Sequence, residues 1–484
     1  MNRPLLHQLA VAFALSLAGL SSALADPASH IRLGREALNS DHPQKALDAF
    51  EQAMAEIRKN PKKYTADRIP TLAGMGYAAL WLGNEHQAER SYREGLELSH
   101  SKSDKKTMAT GLARALIGVG RPREAFDTVA PYRGSDHLAA LQAAIAANLL
   151  NWNILGKENL RYAAPNGEYT GPRWQKELYR YADNYISYAL RPKIDIGVHY
   201  SSDIDHNINQ IYSANVLWPG RPLSDPQLNP TFWQFGFQQT QIGDSVGQVG
   251  LSAIRGGWSS VVNKNWQYSA IAGLGTSGRW TYATLNGLLL YQPSDSWGLN
   301  VGFDRQPIRT NTAVQNHILV NTIDAGGFAR WRDVGTLGAD YFHQIFSDGN
   351  QRDGFVIKAT PEFVSLGRWP VSLGIQGYYR QYHSGIVAYD GYFNPRNYRE
   401  ALGYFIYVQK FSPYWTLRFY SGFGSQTIDG TTSGVRDFFG TLSGLVAPYC
   451  LLRFTGGYSE IANAYGGGPG YHRSYVEANM SIPF

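Results

Sequence analysis

Seven arginines, Arg305, Arg309, Arg330, Arg332, Arg380, Arg396 and Arg399, punctuate residues 193–484, and the run Tyr392-Phe393-Asn394 stands beside two of them. A guanidinium is a permanently charged planar fork of donors, an aromatic ring offers an apolar face, and an amide both donates and accepts. Such groups can hold a polar, ring-shaped unit by stacking on its C–H face and hydrogen-bonding its edge, with no bond made or broken. Each arginine could equally sit on an outer loop or pair with a nearby aspartate. Bond-breaking chemistry finds less support. Ser443-Gly444 and the scattered histidines form no triad or metal spacing. Asp203-Ile204-Asp205-His206-Asn207 has the composition of a cation loop but lacks the glycine and distal glutamate of a calcium loop, so it reads as a solvated turn. The run Gly466 to Gly470 has no lysine and no following helix, so it reads as a flexible loop and not a phosphate cradle. The expectation is a chain that is not an enzyme, with no catalytic residue, metal or cofactor.

Composition narrows what could position these groups. Aromatic residues make up 13% and charged residues 17%, with 51 Gly and 31 Tyr, which favours an aromatic-rich β protein over a charged cytosolic enzyme. Mean hydropathy is −0.31, unremarkable for strands that alternate apolar and polar residues. Residues 193–484 hold 20 Lys+Arg against 19 Asp+Glu, and 16 of the 20 are Arg. Arg suits a confined polar lumen better than Lys, and so even a balance argues against nucleic acid. The single cysteine, Cys450, excludes an intramolecular disulfide and reads as a packing residue.

From Arg191 the hydrophobic period is 2. Ile194, Ile196, Val198 and Tyr200 alternate with Asp195, Gly197, His199 and Ser201. Similar runs recur at Trp233-Phe235-Phe237, Leu299-Val301-Phe303, Tyr404-Ile406-Val408 and Trp415-Leu417-Phe419, separated by Gly, Asn, Asp, Ser or Pro clusters. The last run places Val476, Ala478, Met480, Ile482 and Phe484 on one face and Glu477, Asn479 and Ser481 on the other. One face can meet lipid while the other lines a polar interior. About 15 candidate strands can be drawn, and because such barrels generally take an even number the expectation is 16 strands, with 14 the alternative.

Ahead of the strands, residues 1–25 read as a secretory signal: Arg3, an apolar core from Leu9 to Leu20, and small residues at Ala23-Leu24-Ala25. Residues 26–150 read as helices with an internal repeat, since Gly34, Ala46, Phe50 and Ala53 match Gly76, Ala88, Tyr92 and Gly95 at equal offsets. These positions resemble the small-small-aromatic-small signature of the tetratricopeptide repeat. Small residues let two helices approach, and the aromatic fills the gap between them. Residues 151–192 read as a connector with a helix carrying Trp174, Leu178, Tyr181, Tyr185 and Tyr188 at helical spacing, for packing or for the barrel mouth. Residues 193–484 are then an antiparallel transmembrane β-barrel. The fold class is α + β, an α-solenoid followed by a barrel.

Two segments carry a family resemblance. Tyr389-Asp390-Gly391-Tyr392-Phe393-Asn394-Pro395-Arg396-Asn397-Tyr398-Arg399 is similar to a motif of the cellulose-synthase outer-membrane subunit family, and Gly302-Phe303-Asp304-Arg305-Gln306-Pro307-Ile308 resembles that family's Arg-x-Pro-aliphatic segment at a strand end. The order of leader, repeats, connector and Gly/Tyr-rich barrel is shared with it and with the poly-N-acetylglucosamine exporters. Cellulose-type subunits carry a long repeat array, whereas two or three repeats are recognisable here. The resemblance implies a bacterial outer-membrane pore exporting an exopolysaccharide, cellulose-like or related. It also implies a barrel in contact with lipid and periplasmic repeats that dock periplasmic or inner-membrane polysaccharide synthesis proteins. Phe484 would be the terminal signal read by the barrel assembly machinery. A surface receptor or adhesin and an outer-membrane hydrolase are the alternative classes.

Overall fold

The computed structural model describes residues 26–221, 228–366, 370–385, 391–412, 414–446 and 449–484. The expected leader, together with Tyr389 and Asp390 of the resemblance motif, lies outside the described residues. The chain divides into two compact units: residues up to Arg121 with Asp127–Tyr132, and Pro122–Phe126 with Arg133–Phe484.

The first unit is built from α1 (Pro27–Asn39), α2 (Pro43–Lys59), α3 (Thr65–Trp81), α4 (Glu85–Leu98) and α5 (Lys102–Gly118). Proline opens α1 and α2, where a missing N–H costs nothing. The side chains of Asn84 and Ser101 cap α4 and α5 by accepting from Gln87 N and Asp104 N. Each helix packs on the next, and the unit resembles a solenoid. Its core is the repeated pattern: Ala46, Phe50, Ala53, Ala88 and Tyr92 are buried. A Cβ at Gly34 would stand 2.8 Å from the Phe50 ring, and one at Gly76 would stand 2.6 Å from Tyr92. The glycines are therefore the clearance that lets each aromatic ring lie between helices. In the second copy the buried Glu89 carboxylate receives Arg93 and, from beyond α5, Arg121, each at 2.8 Å.

The second unit holds α7 (His137–Leu149), α8 (Asn153–Ala163) and α9 (Arg173–Leu190), and α6 (Pro122–Val129) begins in it. The two units divide near residues 121–133, with α7 to α9 packing on one another and α9 tied to the strand end through Tyr188 and Ser481. Sixteen long strands follow: β1 (Lys193–Asp203), β2 (Ile208–Gly220), β3 (Thr231–Gly243), β4 (Gln248–Val261), β5 (Trp266–Ser277), β6 (Trp280–Tyr291), β7 (Trp297–Pro307), β8 (Leu319–Trp331), β9 (Gly335–Phe346), β10 (Gln351–Pro361), β11 (Val371–Ser384), β12 (Asn397–Ser412), β13 (Trp415–Ile428), β14 (Thr431–Val446), β15 (Cys450–Ser459) and β16 (Arg473–Pro483). Val364–Ser365 adds a two-residue ladder to β11. Each long strand pairs antiparallel with the next, and β1 closes the ring on β16 with Ile194 opposite Ile482 and Tyr200 opposite Val476. Closure leaves no edge, so every backbone group inside a bilayer finds a partner. The even count of 16 is the expected one.

Alternation divides the wall as the sequence indicated. Ile194, Ile196, Val198, Phe235, Leu274, Val301, Ile375, Phe405, Phe423 and Val476 are exposed on the outer face, while Ser201, Thr240, Leu251, Glu400, Asp437 and Ser481 turn inward and are buried. Lys193 and Pro483 mark one end of the ring, called proximal here. There Tyr188 of α9 donates to Ser481 Oγ at 2.5 Å, and Asn184 donates to Tyr414 Oη at 3.3 Å. Asp295, in the β6–β7 turn, accepts from the backbone N–H groups of Arg123 and Glu124 at the start of α6. Burial pushes its carboxyl above the ordinary carboxylate range, although these donors and Arg123 oppose the shift. The connector helix therefore packs at the barrel mouth.

Candidate functional site

Three segments at the distal end of the barrel, 308–318, 391–396 and 460–472, turn back inside it. Loops on an outer-membrane barrel are commonly polar, but these carry apolar residues that need cover. In the first, the short helix α10 (Asn311–Gln315), capped by Thr310, seats Val314 against Ile242, Leu251 and Tyr282 of the inner wall. In the second, Tyr392 packs among Ile308, Ile318, Val320 and Phe346. In the third, Ala462 packs against Tyr382 and Tyr398.

Hydrogen bonds lock the three together. Thr310 Oγ1 donates to Gly391 O, and Phe393 N donates to Ala464 O at 2.9 Å. Asn311 Nδ2 reaches Asp244 Oδ1 at 2.9 Å, and Asn463 Nδ2 reaches Tyr471 Oη at 2.6 Å. Gly391 sits at φ +88, and a Cβ there would strike Thr312, so only glycine fits this crossing. The Gly466–Gly470 run is thus part of a tied segment and not the flexible loop its composition suggested: Asn463 N donates to Gly466 O and Tyr471 N to Gly468 O. Asp203, in the segment with cation-loop composition, accepts from Asp205 N, Asn207 N and Tyr471 Oη, as a turn residue does.

Between these loops and the wall lies a cavity of about 370 Å³, lined among others by Arg309, Arg352, Arg380, Arg473, Tyr382 and Phe393. Below it, a second cavity of about 200 Å³ shares Gln306, Pro307 and Arg309 and adds Arg255, Tyr282 and Asp304. Arg352 is held between aromatic faces, 4.4 Å from the Tyr382 centroid and 5.2 Å from that of Phe346, and it donates to Phe393 O at 3.1 Å. Arg380 pairs with the buried Glu400 at 2.9 Å and lies 5.1 Å from the Tyr398 ring. Burial pulls the Arg309 guanidinium below its ordinary range, with Tyr465 and Asp304 opposing. Burial likewise pushes the Tyr465 hydroxyl up, while Arg309 and Arg473 pull the other way.

Further along the inner wall runs an aromatic series. Tyr382 stacks on Tyr398 at 4.8 Å, and Tyr378, Tyr404, Tyr420 and Phe439 continue across β11 to β14. Tyr404 donates to Asp437 Oδ2 at 2.8 Å, which fixes its ring edge-on to Tyr420.

The ten residues singled out from the sequence separate into groups. Arg309, Arg380, Tyr392 and Phe393 line the distal cavity. Asn394 adjoins it, accepting from Asn350 at 3.0 Å and Arg352 at 3.3 Å. Tyr392 is already engaged: its ring stacks on Phe346 at 5.1 Å and 8°, and its hydroxyl donates to Asp348 and accepts from Asn350. It anchors the loop and leaves the open face to Phe393. Arg330 has inward parity but lies toward the proximal end, with Nε donating to Thr336 Oγ1 at 3.2 Å, and Arg332 sits in the proximal turn facing Asp333 at 3.9 Å. Arg305 lines the lower cavity from a position of outward parity, and Arg399 lies on the outer face. Arg305 shares the outward parity of Leu299 and Val301 and donates to Asn321, and Arg399 shares that of the exposed Phe405. Arg396 is exposed at the entrance to β12, beside Pro395, which lies outside the strand as a residue without an N–H should. Arg352, Arg473, Arg255 and the Tyr382–Tyr398 pair were missed. Their signal was inward parity combined with charge or aromaticity.

No family model matches the chain, and no curated protein matches it. Among solved structures it is similar to a bacterial polysaccharide outer membrane secretin, at TM-score 0.50 and 15% identity, over 61% of this chain and 99% of that one. Weaker likenesses are to OccAB1 of Acinetobacter baumannii, at TM-score 0.35 and 11% identity over 61% of this chain and 96% of that one, and to OccK5 of Pseudomonas aeruginosa, at 0.34 and 10% over 61% and 98%. The identities are low, and what the first likeness establishes is the fold, an outer-membrane β-barrel.

Proposed function

We propose that this outer-membrane barrel exports an exopolysaccharide, cellulose-like or a related glycan, from the periplasm to the cell surface. The observation that carries the reading is the inner-wall series Tyr378, Tyr404, Tyr420 and Phe439, leading to the arginine-lined distal cavity. Repeated weak stacking sites permit a chain to slide, whereas one tight site would stop it. The solved secretin barrel, named for a bacterial polysaccharide, agrees with this reading in fold.

In this scheme the helical unit is a tetratricopeptide-type module in the periplasm that docks polysaccharide synthesis proteins, the distal end faces the surface, and Phe484 is read during assembly. The chain contributes a path and no catalysis. The test is secretion by a strain that makes the polymer. Ala at Tyr420 and Phe439 should leave the amount of folded barrel unchanged and slow polymer release. A second chain, carrying a leader directly before Pro122, retains α6 to α9 at the proximal mouth; it should keep its heat-modifiable barrel and lose secretion. Parental secretion from both variants would sink the proposal.

A further inference from the structure

The geometry points to an acidic glycan unit, a sugar ring bearing a carboxylate or comparable anionic group, as the ligand of the distal cavity. The inference rests on the export reading and narrows its substrate. Four arginines line the cavity of about 370 Å³, and no carboxylate does among the described lining residues. That volume falls within the size range of small-ligand pockets. Of the four, Arg380 alone has an ion-pair partner, Glu400 at 2.9 Å, among the described residues. Among the described residues Arg309 donates only to Gln306 Oε1 at 3.1 Å, which leaves most of its donors unused there. Arg473 Nε is buried with no hydrogen-bond partner among the described residues. Arg352 has neutral acceptors: Ser384, Gln344, Phe393 O and Asn394.

Buried guanidinium groups without counter-charges are costly, and the cost is recovered when an anion enters with the geometry to accept from a fork. Phe393 and Tyr382 line the same space, so a ring can stack while its anionic substituent meets Arg309 or Arg473. Two carboxylates adjoin the cavity without lining it, Glu400 beside Arg380 and Asp203 opposite Arg473 in the β1–β16 ladder; the other acidic groups of this wall lie further off. Asp304 lines the lower cavity, and Asp324 and Asp340 pair opposite Gly302 and Gly326, stepping away toward the proximal end.

The experiment uses the full-length protein in detergent and isothermal titration with three probes: a galacturonate hexamer, cellohexaose and inorganic phosphate. The acidic hexamer should bind at least about tenfold more tightly than cellohexaose, as expected for a charge-assisted fork, and should weaken as salt is raised. Arg309→Gln and Arg473→Gln should each reduce that preference and together abolish it, with folding checked by heat-modifiable migration. If one variant fails to fold, the other still reports, and the reversal potential of the parent channel under a potassium chloride gradient should indicate anion preference. Equal binding of acidic and neutral hexamers would overturn the acidic assignment and leave glycan export standing. Phosphate binding as tightly as the acidic hexamer would overturn the glycan reading itself, since the sugar rings would contribute nothing. Binding of none of the three would overturn the acidic assignment.

Discussion

The helical unit and the barrel lumen use the same pair of residues, a glycine beside an aromatic ring, to opposite ends. In the helices, Gly34 and Gly76 clear space for Phe50 and Tyr92, and both rings are buried. On the inner wall, Gly422 clears space for Tyr404, and Gly457 stands 2.6 Å, as a built Cβ, from Tyr475. The neighbouring Tyr420 and Phe439 stay half-buried, stacked on each other at 4.4 Å with one side toward the lumen. A ring enclosed on all sides contributes stability. A ring cleared on the wall side only is held at one face and offered at the other, which is what a sliding ligand needs.

Phe50→Ala is the largest expected perturbation. It empties a site closed on every side and should cost about 3–5 kcal/mol, read as loss of the helical circular dichroism signal at lower denaturant, with barrel migration unchanged. A smaller loss would show that the repeats collapse onto the cavity. The glycine pair sharpens the contrast next. Gly76→Val drives a branched side chain into Tyr92, which has no free direction, and should cost about 1–3 kcal/mol. Gly457→Val meets Tyr475, a half-buried ring with room toward the lumen, so the loss should be under about 1 kcal/mol but conductance should change. Equal costs would remove the distinction between the two regions.

Gly391→Ala tests the loop lock. The substitution places a Cβ at positive φ against Thr312 and should destabilise the crossing by about 1 kcal/mol or more, read as faster protease cleavage of the distal loops and larger single-channel conductance. Unchanged conductance would mean the loops do not set the narrowest passage. Phe484→Ala should have the smallest effect on the folded protein. The ring is 58% exposed, 5.9 Å from Trp218, so unfolding should shift by no more than about 0.5 kcal/mol while the yield of inserted barrel falls. A normal yield would show that the terminal ring is not read during assembly.

Much of the architecture was legible because its signals are local. Period 2 from Arg191 identified the strands, and evenness corrected a count of about 15 to 16. Equal offsets in residues 34–53 and 76–95 located the helix pairs and their packing residues. Parity was legible too: Arg305 follows Leu299-Val301-Phe303 and Arg399 precedes Phe405 in outward register, whereas Arg330 and Arg380 have inward parity. The apolar residues of the distal loops, Val314, Tyr392 and Ala462, also hinted that those loops seek cover.

The sequence by itself determined which residues face inward and which face lipid, because a strand's side chains alternate whatever its neighbours are. It determined the helix pairs for the same reason, since contacts at short separation are fixed by the chain. Only the tertiary structure decided that Arg309, Arg352, Arg380 and Arg473, from four segments between residues 297 and 484, meet in one cavity. Their meeting depends on strand register around a closed ring and on three loops folding back through hydrogen bonds at Gly391 and Ala464. Register is a property of the whole barrel, set by stagger summed over all its strands, and no single stretch of sequence contains it.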